Sequence, residues 1–176
     1  MKYYNEMLVH VAINTHKEPV DVLLVGENKA LEQEIKRHEC VTNLKVIVES
    51  EVKTQGIKSF DVIISEKFFD EFAQIVKDDG LVTVDGGSYI DDLKAHKELL
   101  KSVGEEFYIA MPFRVDTSSG VKTPILASKK YHPTADINLQ RADLMDGLEY
   151  YNSDIHVASF TKPTYIYKEL LGISKN

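Results

Sequence analysis

The chain has 176 residues, 43% of them apolar and 28% charged, which suits one globular domain, residues 1–176, with room for a proper core. Its formal net charge of −7 repels phosphate backbones and argues against nucleic acid as a partner; it also keeps a surface soluble and tolerates a cationic ligand. The single cysteine, Cys40, excludes an internal disulfide framework, and the absence of a secretion-signal core or a membrane-length apolar run points to a cytoplasmic protein with no membrane partner.

Residues 3–13 read as an amphipathic helix with Tyr4, Met7, Leu8, Val11 and Ala12 on one face. Pro19 precedes a buried-type strand, Val20–Val25, which stops at Gly26, and a helix is predicted from Lys29 to Glu39. Leu44–Val48 and Phe60–Ile64 are the next two strands, the second nearly continuous in apolar residues, as central parallel strands are. A helix carrying Phe68, Phe72, Ile75 and Val76 is expected to stop at Asp79-Gly80, before a short strand, Leu81–Val84. A helix through Ile90, Leu93, Leu100 and Val103 leads to a strand at Glu106–Ala110. Val121–Ala127 reads as a last, antiparallel strand after a turn at Thr117–Gly120, and residues 135–176 as short helices and loops.

Strands alternating with helices imply an α/β fold: a mostly parallel sheet covered on both faces. The antiparallel final strand pair is typical of the S-adenosylmethionine-methyltransferase type of Rossmann-like fold. Such sheets bind ligands at the carboxyl ends of their strands, which places Gly26–Lys29, Glu49–Glu51, Ser65–Asp70 and Asp85–Ser88 along one rim.

On their own chemistry these rim residues allow bland readings. Tyr4 suits a half-buried helix tyrosine and His10 a packing residue. Glu66-Lys67 suits an exposed pair at a helix start. Asp85-Gly86-Gly87-Ser88 suits a strand-to-helix turn that needs small residues. Glu49, at a strand end, has the geometry of a carboxylate that grips two ribose hydroxyls.

Longer strings are more specific. Near the C-terminus, Tyr150-Tyr151-Asn152 is followed by His156, Ala158, Phe160 and Pro163; the start reads Tyr4-Asn5-Glu6-Met7-Leu8-Val9-His10-Val11; Asp61-Val62-Ile63-Ile64-Ser65-Glu66 lies between, and Ala110-Met111-Pro112-Phe113 precedes Ser119-Gly120. Over essentially all 176 residues these strings resemble the spermidine synthases, or polyamine aminopropyltransferases. The tail string is read as packing over the sheet, without chemistry of its own.

The resemblance implies transfer of an aminopropyl group from decarboxylated S-adenosylmethionine, a co-substrate, to putrescine or another diamine, with release of 5′-methylthioadenosine. The reaction is a direct displacement without metal or further cofactor. By the same resemblance Glu66 stands where an aspartate is the general base. Tyr4 and Asn5, the latter for a histidine or glutamine, touch nucleoside or amine, and Gly26 remains from the glycine loop. Glu49 holds the ribose in one register; in the other, Ser50 lies near the adenine and Glu49 has no ribose role. Asp70 is one position later than the family's second aspartate, which aligns with Phe69. The family's dimer implies a homodimer.

The departures are specific. The family's Gly-Gly-Gly-Asp-Gly reads Gly26-Glu27-Asn28-Lys29-Ala30, which sets Lys29 where an aspartate faces the sulfonium. The amine-binding tyrosine has no counterpart beyond Phe113 or Arg114, Lys162 replaces a leucine, and none of these residues reads as the family's N-terminal β domain. Two functions therefore stay open: an aminopropyltransferase, or a catalytically impaired relative that binds nucleoside or polyamine or serves as a subunit.

Overall fold

In the computed structural model, which describes residues 2–176, helix α1 spans Lys2–Thr15 and is followed by strand β1, Asp21–Val25. Helix α2, Lys29–Ile35, leads to β2, Asn43–Ile47, a 3-10 helix at Glu49–Thr54, and β3, Phe60–Ser65. Then come α3, Phe72–Ile75; β4, Val76–Val84; α4, Leu93–Glu106; and β5, Ile109–Pro112. A hairpin of β6, Val115–Thr117, and β7, Gly120–Lys122, precedes β8, Ile125–Ser128. Three short helices close the chain: α5, Leu139–Asp143; α6, Ser153–Ser159; and α7, Thr164–Glu169.

Six strands form one sheet in the order β2-β1-β3-β4-β8-β5. The first four are parallel, and β8 runs antiparallel between β4 and β5. This is the Rossmann-like, methyltransferase-type sheet expected from the alternation of strands and helices. Side chains alternate across the strands: Leu23, Val25, Ile63, Val82 and Val84 face a core shared with Phe72, Leu100, Val103 and Ile166. Val22, Leu24, Val62, Ile64 and Leu81 face the other way, onto Leu8, Val9, Ile13, Leu31 and Ile35. Burial on both faces explains why Val22–Val25, Val62–Ile64 and Leu81–Val82 are apolar at every position. A third cluster, with Met7, Val11, Met111, Phe113, Leu126, Tyr151 and Phe160, joins α1 to the antiparallel end of the sheet.

Several boundaries differ from the sequence expectation. Helix α1 is not amphipathic in place: Tyr4–Thr15 are all buried, because the tail covers the side turned away from the sheet. Helix α2 ends at Ile35, and the chain then bends so that the buried His38 reaches His10, with their ring nitrogens 2.7 Å apart. The helix expected up to Asp79-Gly80 shrinks to the single turn of α3. Phe68, Phe69 and Phe72 converge in edge-to-face contacts, which hold 66–71 as a turn, and the β-branched Val76 pairs with Phe60 as the first residue of β4. Asp79-Gly80 thus lies inside a nine-residue strand, where the register shifts between Phe60 and Val62.

Helix α4 starts at Leu93 under an Asp92 cap, leaving Ile90 exposed, and it runs through Glu106, which shifts the next strand to Ile109–Pro112. Pro124 has no N–H for a ladder, so the stretch 121–127 divides into β7 and β8. Among the described residues no helix is long and apolar enough to cross a membrane.

Candidate active site

Three strands deliver their next residues to the same rim. Val25 pairs with Ser65 and Ser65 with Val84, so Gly26, Glu66 and Asp85 leave the carboxyl ends of β1, β3 and β4 side by side. Gly26 has φ +114°, a conformation that favours glycine, and its N–H donates to the Ile47 carbonyl at 2.8 Å, tying the loop to the end of β2. Asn28 caps α2 by accepting the amides of Ala30 and Leu31, and its amide nitrogen donates to Glu66 Oε1 at 2.9 Å. Asp85 Oδ1 accepts the Gly87 N–H at 2.8 Å. Glu66 is exposed and Asp85 half-buried, and neither belongs to an ion pair among the described residues.

Tyr4, in the first turn of α1, faces these carboxylates. It is 7% exposed, and its hydroxyl approaches the Asp85 carboxylate without forming a well-aligned hydrogen bond. Burial raises its pKa; the Asp85 carboxylate, by its charge and by its interaction with the hydroxyl, and then the charge of Glu66 raise it further. A cavity of about 270 Å³ opens beside it between Lys2, Tyr3, Glu149 and the β6–β7 turn at Thr117 and Ser118. A larger cavity, about 570 Å³, lies beyond the ends of α2 and α5 and is lined by His38, Cys40 and Arg141; neither cavity is lined by Glu66 or Asp85, and only the smaller one of the two reaches Tyr4.

The remaining expected residues are placed as follows. Asn5 is buried on α1. Glu49 and Ser50 are exposed on the 3-10 helix, and Glu49 pairs with Lys67 at 2.8 Å, which links it to the residue after Glu66. Asp70 is exposed in the turn before α3, outside the helix expected through Phe68 and Phe72. No hydrogen bond or ion pair ties Ser50 or Asp70 to the group around Glu66 among the described residues. Phe69 is drawn against Phe72, Phe113 is fully buried, Arg114 pairs with Asp116 at 2.8 Å, and Lys29 is exposed as the first residue of α2. Asn28 and Asp85 were given no site role on sequence grounds. The available signal was position: Asp85 follows its strand directly, as Glu66 follows the strand beside it.

The tail string has a defined partner. The fully buried Glu6 carboxylate accepts the backbone N–H groups of Glu149, Tyr150 and Tyr151 at 2.8–3.2 Å. The Tyr151 hydroxyl bridges Asn14 and His156, each at 2.8 Å. The tail therefore clamps α1 as well as the antiparallel end of the sheet.

At the opposite rim His16, Asp61 and Asp79 bring potential metal-ligand atoms within 4.8 Å of one another. They do not fit a metal. His16 Nδ1 accepts the Glu18 N–H, which leaves the proton on Nε2, and Asp61 is occupied by Lys77 and by the Val20 and Asp21 amides.

No family model matches the chain. It is 24% identical over 218 residues to the polyamine aminopropyltransferase of Thermotoga petrophila, covering 95% of this chain and 74% of that protein. An alignment of 218 positions against 176 residues leaves at least 42 positions of that relative without a counterpart here. The polyamine aminopropyltransferase of Helicobacter acinonychis is 31% identical over 116 residues, 61% of this chain but only 43% of that protein. Among solved structures, spermidine synthase from Thermotoga maritima superposes with a TM-score of 0.85 at 24% identity, over 96% of this chain and 74% of the other. A spermidine synthase in complex with the transition-state analogue AdoDATO gives 0.86 at 23% identity, over 96% and 75%. The fold, the order of the motifs and matches that run over nearly the whole chain make this protein similar, at a distance, to the polyamine aminopropyltransferases.

Proposed function

We propose that this protein transfers an aminopropyl group from decarboxylated S-adenosylmethionine to a diamine such as putrescine. The observation that carries the reading is the placement of Glu66 beside Gly26 and Asp85 at the carboxyl rim, facing the buried Tyr4 hydroxyl. In the reaction the amine nitrogen attacks the aminopropyl carbon next to the sulfonium. The carbon–sulfur bond breaks toward sulfur, and 5′-methylthioadenosine leaves as a neutral thioether. The proton lost by the amine passes to the Glu66 carboxylate, whose orientation the Asn28 amide fixes. The substrate carries its own leaving group, so the residues need only hold, orient and deprotonate.

The tie between Gly26 and Ile47 supports Glu49 as the ribose ligand, because it brings the end of β2 to the glycine loop. The Lys67–Glu49 pair is exposed on both sides and worth at most about 1 kcal/mol, so a ribose diol can displace it.

A second reading, a relative that binds but no longer transfers, is favoured by one observation: on the 66–71 turn Phe69 packs on Phe72, Glu71 pairs with Lys53, and no contact ties Asp70 to the group around Glu66 among the described residues. Turnover separates the two. The wild-type chain is expected to release 5′-methylthioadenosine from decarboxylated S-adenosylmethionine and putrescine, and Glu66→Gln to lower that rate about 100-fold or more. Calorimetric binding of 5′-methylthioadenosine without turnover would leave the second reading standing.

A further inference from the structure

We propose that Cys40 is a thiol–disulfide exchange site: the cavity beyond the ends of α2 and α5 admits a small zwitterionic peptide disulfide, one half of which stays on the Cys40 sulfur. This part of the molecule lies away from the strand rim, and the inference does not rest on the transferase reading.

The turn that follows α2 builds the site. The His38 N–H donates to the Ile35 carbonyl and the Val41 N–H to the His38 carbonyl, so His38 and Cys40 stand two residues apart on the wall of the cavity of about 570 Å³. Cys40 is half-buried, within reach of a molecule that enters. Arg141 joins the same wall from α5. Its N–H groups donate to Asn14 Oδ1 and to the carbonyls of Ile13, His16 and Lys17, all uncharged, and no carboxylate pairs with it among the described residues. The first charge that acts on the guanidinium is the Cys40 sulfur, which also accepts a hydrogen bond from it. A thiolate, the form that attacks a disulfide, therefore has its counter-charge in place.

His38 is the independent observation. Its residue is 4% exposed, and burial lowers the pKa of both His38 and His10, so both rings are neutral. The Glu34 carboxylate accepts the His10 Nε2–H at 3.0 Å, and His10 Nδ1 accepts the His38 Nε2–H at 2.7 Å. That order leaves a lone pair on His38 Nδ1, which accepts no hydrogen bond among the described residues although the ring lines the cavity. A buried acceptor held open in this way calls for an N–H donor from outside the chain. The cavity wall carries both signs, Arg37 and Arg141 against Glu39 and Asp146. An amide N–H for His38, a carboxylate and an ammonium for the two kinds of wall, and a sulfur for Cys40 together describe a small peptide disulfide.

In the step, Cys40 gives up its thiol proton and the thiolate attacks one sulfur of the bound disulfide. The sulfur–sulfur bond of the ligand breaks, a mixed disulfide forms on Cys40, and the departing thiolate takes up the proton that Cys40 lost. One thiol and one disulfide enter, and one thiol and one disulfide leave, so no further oxidant is needed.

The test follows adduct formation by intact mass with two probes: glutathione disulfide, and cystamine, which has neither carboxylate nor amide. Cys40 is the single cysteine, so every mixed disulfide is on it and Cys40→Ser gives the blank. The folded chain is expected to react with glutathione disulfide about 10-fold faster than the chain unfolded in urea, and with cystamine no faster than the unfolded chain. Arg37→Ala, a change on the cavity wall, should slow the reaction with glutathione disulfide about 5-fold and leave that with cystamine within about 2-fold. A folded chain that reacts with glutathione disulfide no faster than the unfolded one overturns the proposal. Equal acceleration toward both probes also overturns it, because it would describe an accessible thiol without a peptide site, as does an Arg37→Ala chain that keeps the wild-type rates.

Discussion

Tyr4 and Glu6 stand two residues apart on α1, both buried, and their polar atoms meet opposite surroundings. The Glu6 carboxylate is saturated by three consecutive amides of the tail, whereas the Tyr4 hydroxyl meets only the carboxylates of the rim, Asp85 foremost. The same contrast separates the tail from the rim. Asn14, Tyr151 and His156 close on one another, while Glu66 and Asp85 each keep an oxygen free. A buried polar group with all its partners is explained by the fold; one set beside carboxylates at a strand rim, as Tyr4 is, is placed to meet a ligand. This difference assigns structure to the tail string and chemistry to the rim, although both carry family-like motifs.

The strongest way to break this comparison is to remove the satisfied partner. Glu6→Ala leaves three tail amides buried without an acceptor and is expected to cost about 3–5 kcal/mol in urea unfolding. A loss below about 1 kcal/mol would mean that the tail is held by other contacts and that Glu6 belongs with Tyr4 on the functional side.

The buried histidines give the next effect. Burial lowers the pKa of His156 to about 4 and that of His38 to about 2, and lowers those of His10, His16 and His96. In the unfolded chain each protonates near pH 6.5, so between about pH 6.5 and 4 the unfolded state binds more protons than the folded one. Stability is therefore full above about pH 6.5 and falls as the pH drops toward 4, with His156 alone contributing roughly 3 kcal/mol across that window. Urea titrations at stepped pH should show this slope, and His156→Gln should be shallower over the same range. A flat profile in the wild type would show that these imidazoles accept protons without unfolding.

Removing the Tyr4 hydroxyl should have the opposite character. Tyr4→Phe is expected to change stability by no more than about 1 kcal/mol, because the hydroxyl forms no well-aligned hydrogen bond and its one close polar neighbour is the Asp85 carboxylate. The same change should weaken putrescine binding several-fold. Destabilisation by more than about 1 kcal/mol would reveal a structural partner and dissolve the contrast with Glu6.

The smallest expected effect is at Lys29. Its side chain is exposed at the start of α2, where water screens its charge to about 1 kcal/mol or less even at close range. Lys29→Asp should shift the affinity ratio between decarboxylated S-adenosylmethionine and neutral 5′-methylthioadenosine by only a few-fold in favour of the sulfonium. A change of 100-fold would place the ammonium in the cleft and make it the main departure from the family's chemistry.

The sequence by itself determined the class of fold and the strands that matter most. Val22–Val25 and Val62–Ile64 are apolar at every position because both faces of a central parallel strand are covered, and that pattern is local. It also carried the resemblance to the polyamine aminopropyltransferases, since the strings at Tyr4–Val11, Asp61–Glu66 and Tyr150–Phe160 can be read without coordinates. The tertiary structure alone decided the extent of α3, because the convergence of Phe68, Phe69 and Phe72 outweighs the helical spacing of 68–76. It decided that α1 is buried on all sides, because the tail that covers it comes from residues more than 130 positions away. And it decided the site. Asp85 lies 19 residues beyond Glu66 in a string that reads as a turn, and only the pairing of Ser65 with Val84 brings the two carboxylates together at the rim that Tyr4 faces. Periodicity reports which face of an element is covered; which polar groups converge depends on strand register, and that is a property of the assembled sheet.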